Sequence, residues 1–239
     1  MKYVSGLIAT AALLACTSAS AGVLPVTTFG ELKGATFGGS GIPNHGVVIT
    51  TLGNLTLGLT ATQRYFGDNL LNNGKDTFYA DPGVRQVKDK PDGTTWNFSY
   101  FIQDKDQTAL SNSNYTFSLL FDFDAGANTA ESKLGIVDPT FFSTSGNTAQ
   151  NSQNLMFPFL SIPVFGTTPP AGVFDATANG QYSFALVAYD KSSNAEVARA
   201  AMFVQVGPEA SDVPEPASVA LLGLGMSGLA LARRRKQAR

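Results

Sequence analysis

Reactive side chains are scarce in this 239-residue sequence, which has one cysteine, Cys16, one histidine, His45, and one tryptophan, Trp96. A single thiol cannot close an intrachain disulfide, and a lone imidazole cannot build a histidine metal site. No Gly-x-Ser-x-Gly elbow precedes a helical pattern, which weighs against an α/β-hydrolase nucleophile. Charge is sparse too, at 14% of residues against 44% hydrophobic. That balance excludes a disordered chain, a coiled coil and an extended polybasic surface for nucleic acid. No fixed-period repeat is present, so solenoids and propellers are not expected. With so few groups able to hold or move charge, neither catalysis nor a resident cofactor is expected.

The charges that exist are unevenly placed. Five of the 16 Lys and Arg residues fall in the last seven positions: Arg233, Arg234, Arg235, Lys236 and Arg239. Residues 22–212 carry ten basic and seventeen acidic side chains, a net charge of −7 against −2 for the whole chain. The ends therefore follow different rules from the middle. Residues 1–21 read as a secretory signal peptide. Lys2 supplies the positive start, 4–15 is uncharged and apolar, and Ala19-Ser20-Ala21 gives the small-x-small pattern that leader peptidase accepts. The apolar run is too short to span a bilayer. Cleavage after Ala21 would leave Gly22 first and remove the only cysteine. As an alternative, Leu13-Leu14-Ala15-Cys16 resembles a bacterial lipobox, in which Cys16 would be lipidated.

The C-terminal end has three parts in order. Val213-Pro214-Glu215-Pro216 is followed by an uncharged stretch, 217–232, and then by Arg233-Arg234-Arg235-Lys236. Sixteen residues of helix at about 1.5 Å each reach roughly 24 Å, slightly short of a hydrocarbon core near 30 Å. Gly223, Gly225, Ser227 and Gly228 make one side of such a helix small, which permits close approach of another helix. The basic cluster would hold that end in the cytoplasm. This tail, 213–239, closely resembles the PEP-CTERM sorting signal of Gram-negative bacteria, whose tail has also been labelled an ice-binding protein C-terminal region. The resemblance implies recognition of Pro214, Glu215 and Pro216 by a membrane protease, exosortase. It further implies an exported precursor held briefly in the inner membrane, then released or moved to the cell surface, often beside exopolysaccharide genes.

Between the ends, hydrophobicity repeats every two residues. Leu55, Leu57, Leu59 and Ala61 alternate with threonines and a glycine; Trp96, Phe98, Tyr100 and Ile102 alternate with polar residues, interrupted by Phe101. Tyr115, Phe117, Leu119, Phe121 and Phe123 share one side of a third strand. Stretches 181–189 and 196–206 flank a polar five-residue loop, 190–194, and predict a hairpin, although 196–202 alone could pass for two helical turns. Weaker strands are expected at 46–52, 77–80 and 153–160. Eight to ten strands with Gly, Pro and Asn punctuation predict an all-β, jelly-roll-like antiparallel sandwich over 22–206. The stretches 72–94 and 141–153 read mostly as irregular, and 207–212 as a polar linker.

Candidate chemistry in the middle is thin. His45 sits in a loop-like Asn44-His45-Gly46. Asp104 and Asp106 could in principle serve a glycosidase, but both fall in a polar turn where Asp is common. Asp122, Asp124 and Asn128, with Glu131 behind them, form a weak calcium candidate; the EF-hand spacing fails, and turn chemistry explains the same residues. Trp96 could stack on a sugar ring, yet its register with Phe98 and Ile102 favours the core. Thr56, Thr60 and Thr62 lack the repeating array of an ice-binding face. The leading expectation is an exported, non-catalytic envelope or matrix protein beside exopolysaccharide or in biofilm. The alternative is a carbohydrate-binding sandwich, with calcium assistance left open.

Overall fold

The computed structural model describes residues 23–164 and 166–208. The signal segment with Ala19, Ala21 and Cys16, the linker beyond Pro208 and the whole sorting tail lie outside the described residues. No helix among the described residues is long and apolar enough to cross a membrane.

Among the described residues fourteen strands form, numbered in chain order, and twelve of them build two six-stranded sheets. The first sheet runs β1 (Val26–Gly30), β2 (Val47–Leu52), β3 (Leu55–Gln63), β8 (Trp96–Asp104), β12 (Thr148–Gln153) and β11 (Thr144–Ser145). The second runs β10 (Gly135–Val137), β9 (Tyr115–Phe121), β13 (Gly180–Asp190), β14 (Glu196–Val206), β5 (Thr77–Ala80) and β4 (Leu71–Asn72). β6 (Val84–Arg85) and β7 (Gly93–Thr94) make a small third pair.

Register explains the core. Leu57 stands opposite Ile102 and Leu59 opposite Tyr100 across β3 and β8. In the second sheet Leu186 lies between Leu119 of β9 and Ala200 of β14. With period two, these rows put one side of each strand inward. The inner faces meet through aromatic rings: Phe98 and Phe184 have centroids 4.7 Å apart, and Trp96 meets Phe184 edge-on at 5.9 Å. The sandwich expected from the alternation is the fold, antiparallel among the described strands except where β14 meets β5.

Its detail departs from expectation in four ways. A jelly roll alternates its strands between sheets, whereas here β1, β2 and β3 follow one another in one sheet and β13 and β14 in the other. Short turns at Gly53-Asn54 and at 191–195 return the chain beside itself, and β14 pairs with β5 in parallel. Second, no strand occupies 153–160 as such: β12 ends at Gln153, and Pro158–Ser161 is a 3₁₀ turn, because Pro158 cannot donate to a ladder. The strand lies instead inside 141–153, hidden by its polar composition; only Ala149 and Gln153 of β12 are buried. Third, the outer face of the first sheet is not solvent-facing throughout. Leu32, Ala35 and Phe37, from the segment before β2, pack over Val47, Ile49 and Phe101. β1 and β10 also form where no strand was expected.

Candidate functional site at the chain exit

β14 carries the chain out of the sandwich. Because β5 runs parallel to it, both strands end at the same edge, where the Gly207 N–H donates to the Ala80 carbonyl at 2.8 Å. β4 folds back on β5, pairing Leu71 with Tyr79. The last residue of β3, Gln63, and Arg85 of β6 complete a cleft of about 420 Å³ that also includes Asp81 and Pro208. The side chains of Gln63, Tyr79 and Asp81 make no hydrogen bond or ion pair to any described residue. The Arg85 guanidinium lies 4.6 Å from the centroid of the Phe66 ring and pairs with no carboxylate among the described residues. Phe66 is 58% exposed and Leu71 81%. The cleft is thus open, mixed in polarity and rimmed by uncovered apolar groups.

Directly after Gln63 comes a buried cation. Arg64 is 3% exposed, and no described carboxylate lies within ion-pair distance of it. It donates instead to the Tyr65 hydroxyl oxygen at 2.7 Å, the Pro91 carbonyl at 3.0 Å and Asn97 Oδ1 at 3.2 Å. The Tyr65 ring faces its guanidinium at 4.4 Å and the Phe157 ring at 5.5 Å. Carbonyl dipoles and ring faces take the place of a counter-ion, so Arg64 clamps the 91–92 segment to the end of β3.

A second groove, of about 480 Å³, lies on the first sheet between the 36–40 loop and β12, and hydroxyls of Ser40, Ser143, Ser145 and Thr148 line it. Gln150 holds the loop there: its Oε1 accepts the Thr36 and Phe37 N–H groups, each at 2.8 Å. No charged side chain lines this groove.

The residues singled out in the sequence are dispersed. Asp104 is buried, its Oδ2 accepting the Ser113 hydroxyl at 2.6 Å and its Oδ1 the Asp106 N–H at 3.1 Å. Asp106 accepts from the Asn54 amide at 2.7 Å. His45 Nδ1 stands 2.8 Å from the Asn69 amide nitrogen on the surface. Asp122 is buried and receives the Asp124 N–H at 2.9 Å; burial raises its carboxyl above the ordinary range, opposed by the Asp124 and Ser183 N–H groups and the Thr129 hydroxyl. Asp124 turns back on the Gly126 N–H, Asn128 adopts a left-handed φ of 59°, and Glu131 pairs with Arg199 at 3.1 Å. The calcium candidates are therefore each engaged separately, and no group of three His, Cys, Asp or Glu residues among the described residues is placed to hold a metal ion. Trp96 is 2% exposed and belongs to the core, which removes it as a sugar platform. Thr60 and Thr62 are buried, so no flat threonine face is presented. Arg64, Phe66 and Arg85 belong to no motif; the only trace of them in the sequence is an Arg directly after an alternating strand, followed by two aromatics.

No curated protein and no solved structure matches this chain. The family comparison finds one segment: residues 212–236 match the PEP-CTERM protein-sorting motif. Pro214, Glu215, Pro216 and Arg233 to Lys236 all fall inside the match. The described β-sandwich is therefore followed, at 212–236, by a segment that matches the PEP-CTERM protein-sorting motif.

Proposed function

We propose that the chain is an exported, non-catalytic protein of the cell surface or extracellular matrix that works beside exopolysaccharide. The sorting-motif match at 212–236, behind a β-sandwich, carries this reading. Exosortase-type processing gives the sandwich an inner-membrane-anchored precursor and then a surface location. The engagement of Asp104, Asp106 and Asp122 in hydrogen bonds that brace turns and strand ends supports a structural rather than catalytic domain. The test replaces Pro214, Glu215 and Pro216 with alanine in the full chain and follows its processing. The variant is expected to stay uncleaved in the inner membrane; normal processing and release would sink the reading.

A second reading is a carbohydrate-binding sandwich. The uncharged hydroxyl groove between the 36–40 loop and β12 favours it, since hydroxyls both donate to and accept from sugar hydroxyls. Residues 22–212 screened on a glycan array, with and without calcium, decide the matter: retention lost in Ser145→Trp supports the groove, and no retention removes it.

A further inference from the structure

We propose that the face around the chain exit rests on the lipid bilayer while the precursor is anchored; this builds on the membrane-anchored reading above. Pro208 lines the exit cleft, and the uncharged segment of the tail begins at Ala217. The eight residues between them reach at most about 29 Å even when fully extended. β14 itself, with eleven residues, is longer, at roughly 37 Å. The tether therefore cannot carry the domain far from the membrane, and the β13–β14 turn at the opposite end of the strand points away.

The exit face has the composition such a contact needs. Leu71, which lines the cleft, is 81% exposed; Phe66, under the Arg85 guanidinium, is 58% exposed, and Val84, beside Arg85 in β6, 41%. Arg85 lies on the Phe66 ring with no described carboxylate partner, which leaves its guanidinium free to meet a lipid phosphate. Aromatic and aliphatic side chains with a neighbouring Arg suit the boundary between headgroups and acyl chains. The occupant is thus the bilayer that the tail itself enters, brought to this face by the short tether.

The test uses the chain through Arg239 carrying Cys16→Ser, reconstituted in vesicles of phosphatidylethanolamine and phosphatidylglycerol. An environment-sensitive fluorophore is attached at Leu71→Cys in one sample and at Ser193→Cys, in the far turn, in another. Position 71 is open enough for the label to leave the fold intact. Emission at 71 is expected to shift to the blue and to be quenched by lipid-borne quenchers, while 193 stays aqueous. A chain that floats with the vesicles but shows both labels equally aqueous overturns this inference and leaves the anchor reading standing. A chain that fails to float overturns the anchor reading, and this inference with it.

Discussion

The Asn154 amide grips Thr94 from both sides: its Oδ1 accepts the Thr94 N–H at 3.0 Å, and its Nδ2 donates to the Thr94 hydroxyl at 2.9 Å. The same nitrogen lies 2.8 Å from the Trp96 carbonyl and from Asn97 Oδ1, and Asn154 is fully buried. One side chain thus satisfies the backbone where β7 passes into β8 and β12 ends. Each buried group left unpaired costs about 1–3 kcal/mol. Asn154→Ala is therefore expected to destabilise the domain by roughly 2–4 kcal/mol in urea unfolding, and Asn154→Asp by more at neutral pH, since it buries a charge and loses both donors. An Ala variant as stable as the parent would show that the amide is decorative.

Gly58 marks how closely the 31–46 segment lies on the first sheet. A Cβ at this position would stand 2.6 Å from Leu32 Cδ2 and 3.4 Å from Phe101 Cβ. Gly58→Ala should therefore cost about 1 kcal/mol through overpacking, although alanine suits a strand better than glycine. Leu32→Ala removes the obstacle. In that background Gly58→Ala is expected to become neutral or stabilising, a change of sign read from a double-mutant cycle. If the alanine costs the same in both backgrounds, the contact is not what limits position 58.

The sandwich was legible where alternation was strong and inward, as in Leu55 to Ala61 and Trp96 to Ile102. It failed where burial came from tertiary cover. Thr60 and Thr62 look solvent-facing by pattern, yet Thr60 is buried with its hydroxyl donating to the Gly46 carbonyl at 2.9 Å. β12 was hidden because its inner side needs only Ala149 and Gln153 to fill it, and β8 supplies the template. The exit cleft could not be read locally at all. Its walls come from β3, β4, β5, β6 and the end of β14, and only the fold brings Gln63, Arg85 and Pro208 together. The sorting tail, by contrast, is a contiguous motif and needs no fold to be recognised.

Acid stability should carry the mark of Asp190. The Ser192 hydroxyl and the Ser193 N–H and hydroxyl, with the Ser192 N–H behind them, hold its carboxyl at about 2 against an ordinary 3.8. The folded-state value is depressed, so the unfolded chain binds the extra proton first. The contribution is complete above about 3.8 and fades as pH falls through 2. Asp190→Asn keeps an acceptor for the turn but cannot titrate. Between pH 5 and pH 2 the parent should lose more stability than this variant; parallel losses would remove Asp190 from the acid transition.

The sandwich should fold without its tail, and the boundary should be sharp. Among the described residues, the buried apolar side chains run from Leu32 to Val206, and the Gly207 N–H makes the last backbone bond, to Ala80. Deleting 213–239 removes none of them. The shortened chain should give the melting curve of the full one while no longer floating with vesicles. Ending the chain at Phe203 is a different matter. Val204 sits between Phe78 of β5 and Tyr182 of β13, and Val206 pairs with Ala80 and Gly180. Both valines are buried, and each side chain contributes about 1.5–3 kcal/mol. Their loss also strips the ladder that holds β5, and with it β4 and the exit cleft. That chain should fail to melt cooperatively. Equal melting of the two truncations would place the domain boundary before β14 ends, and unfolding of the 213–239 deletion would place tail residues in the core.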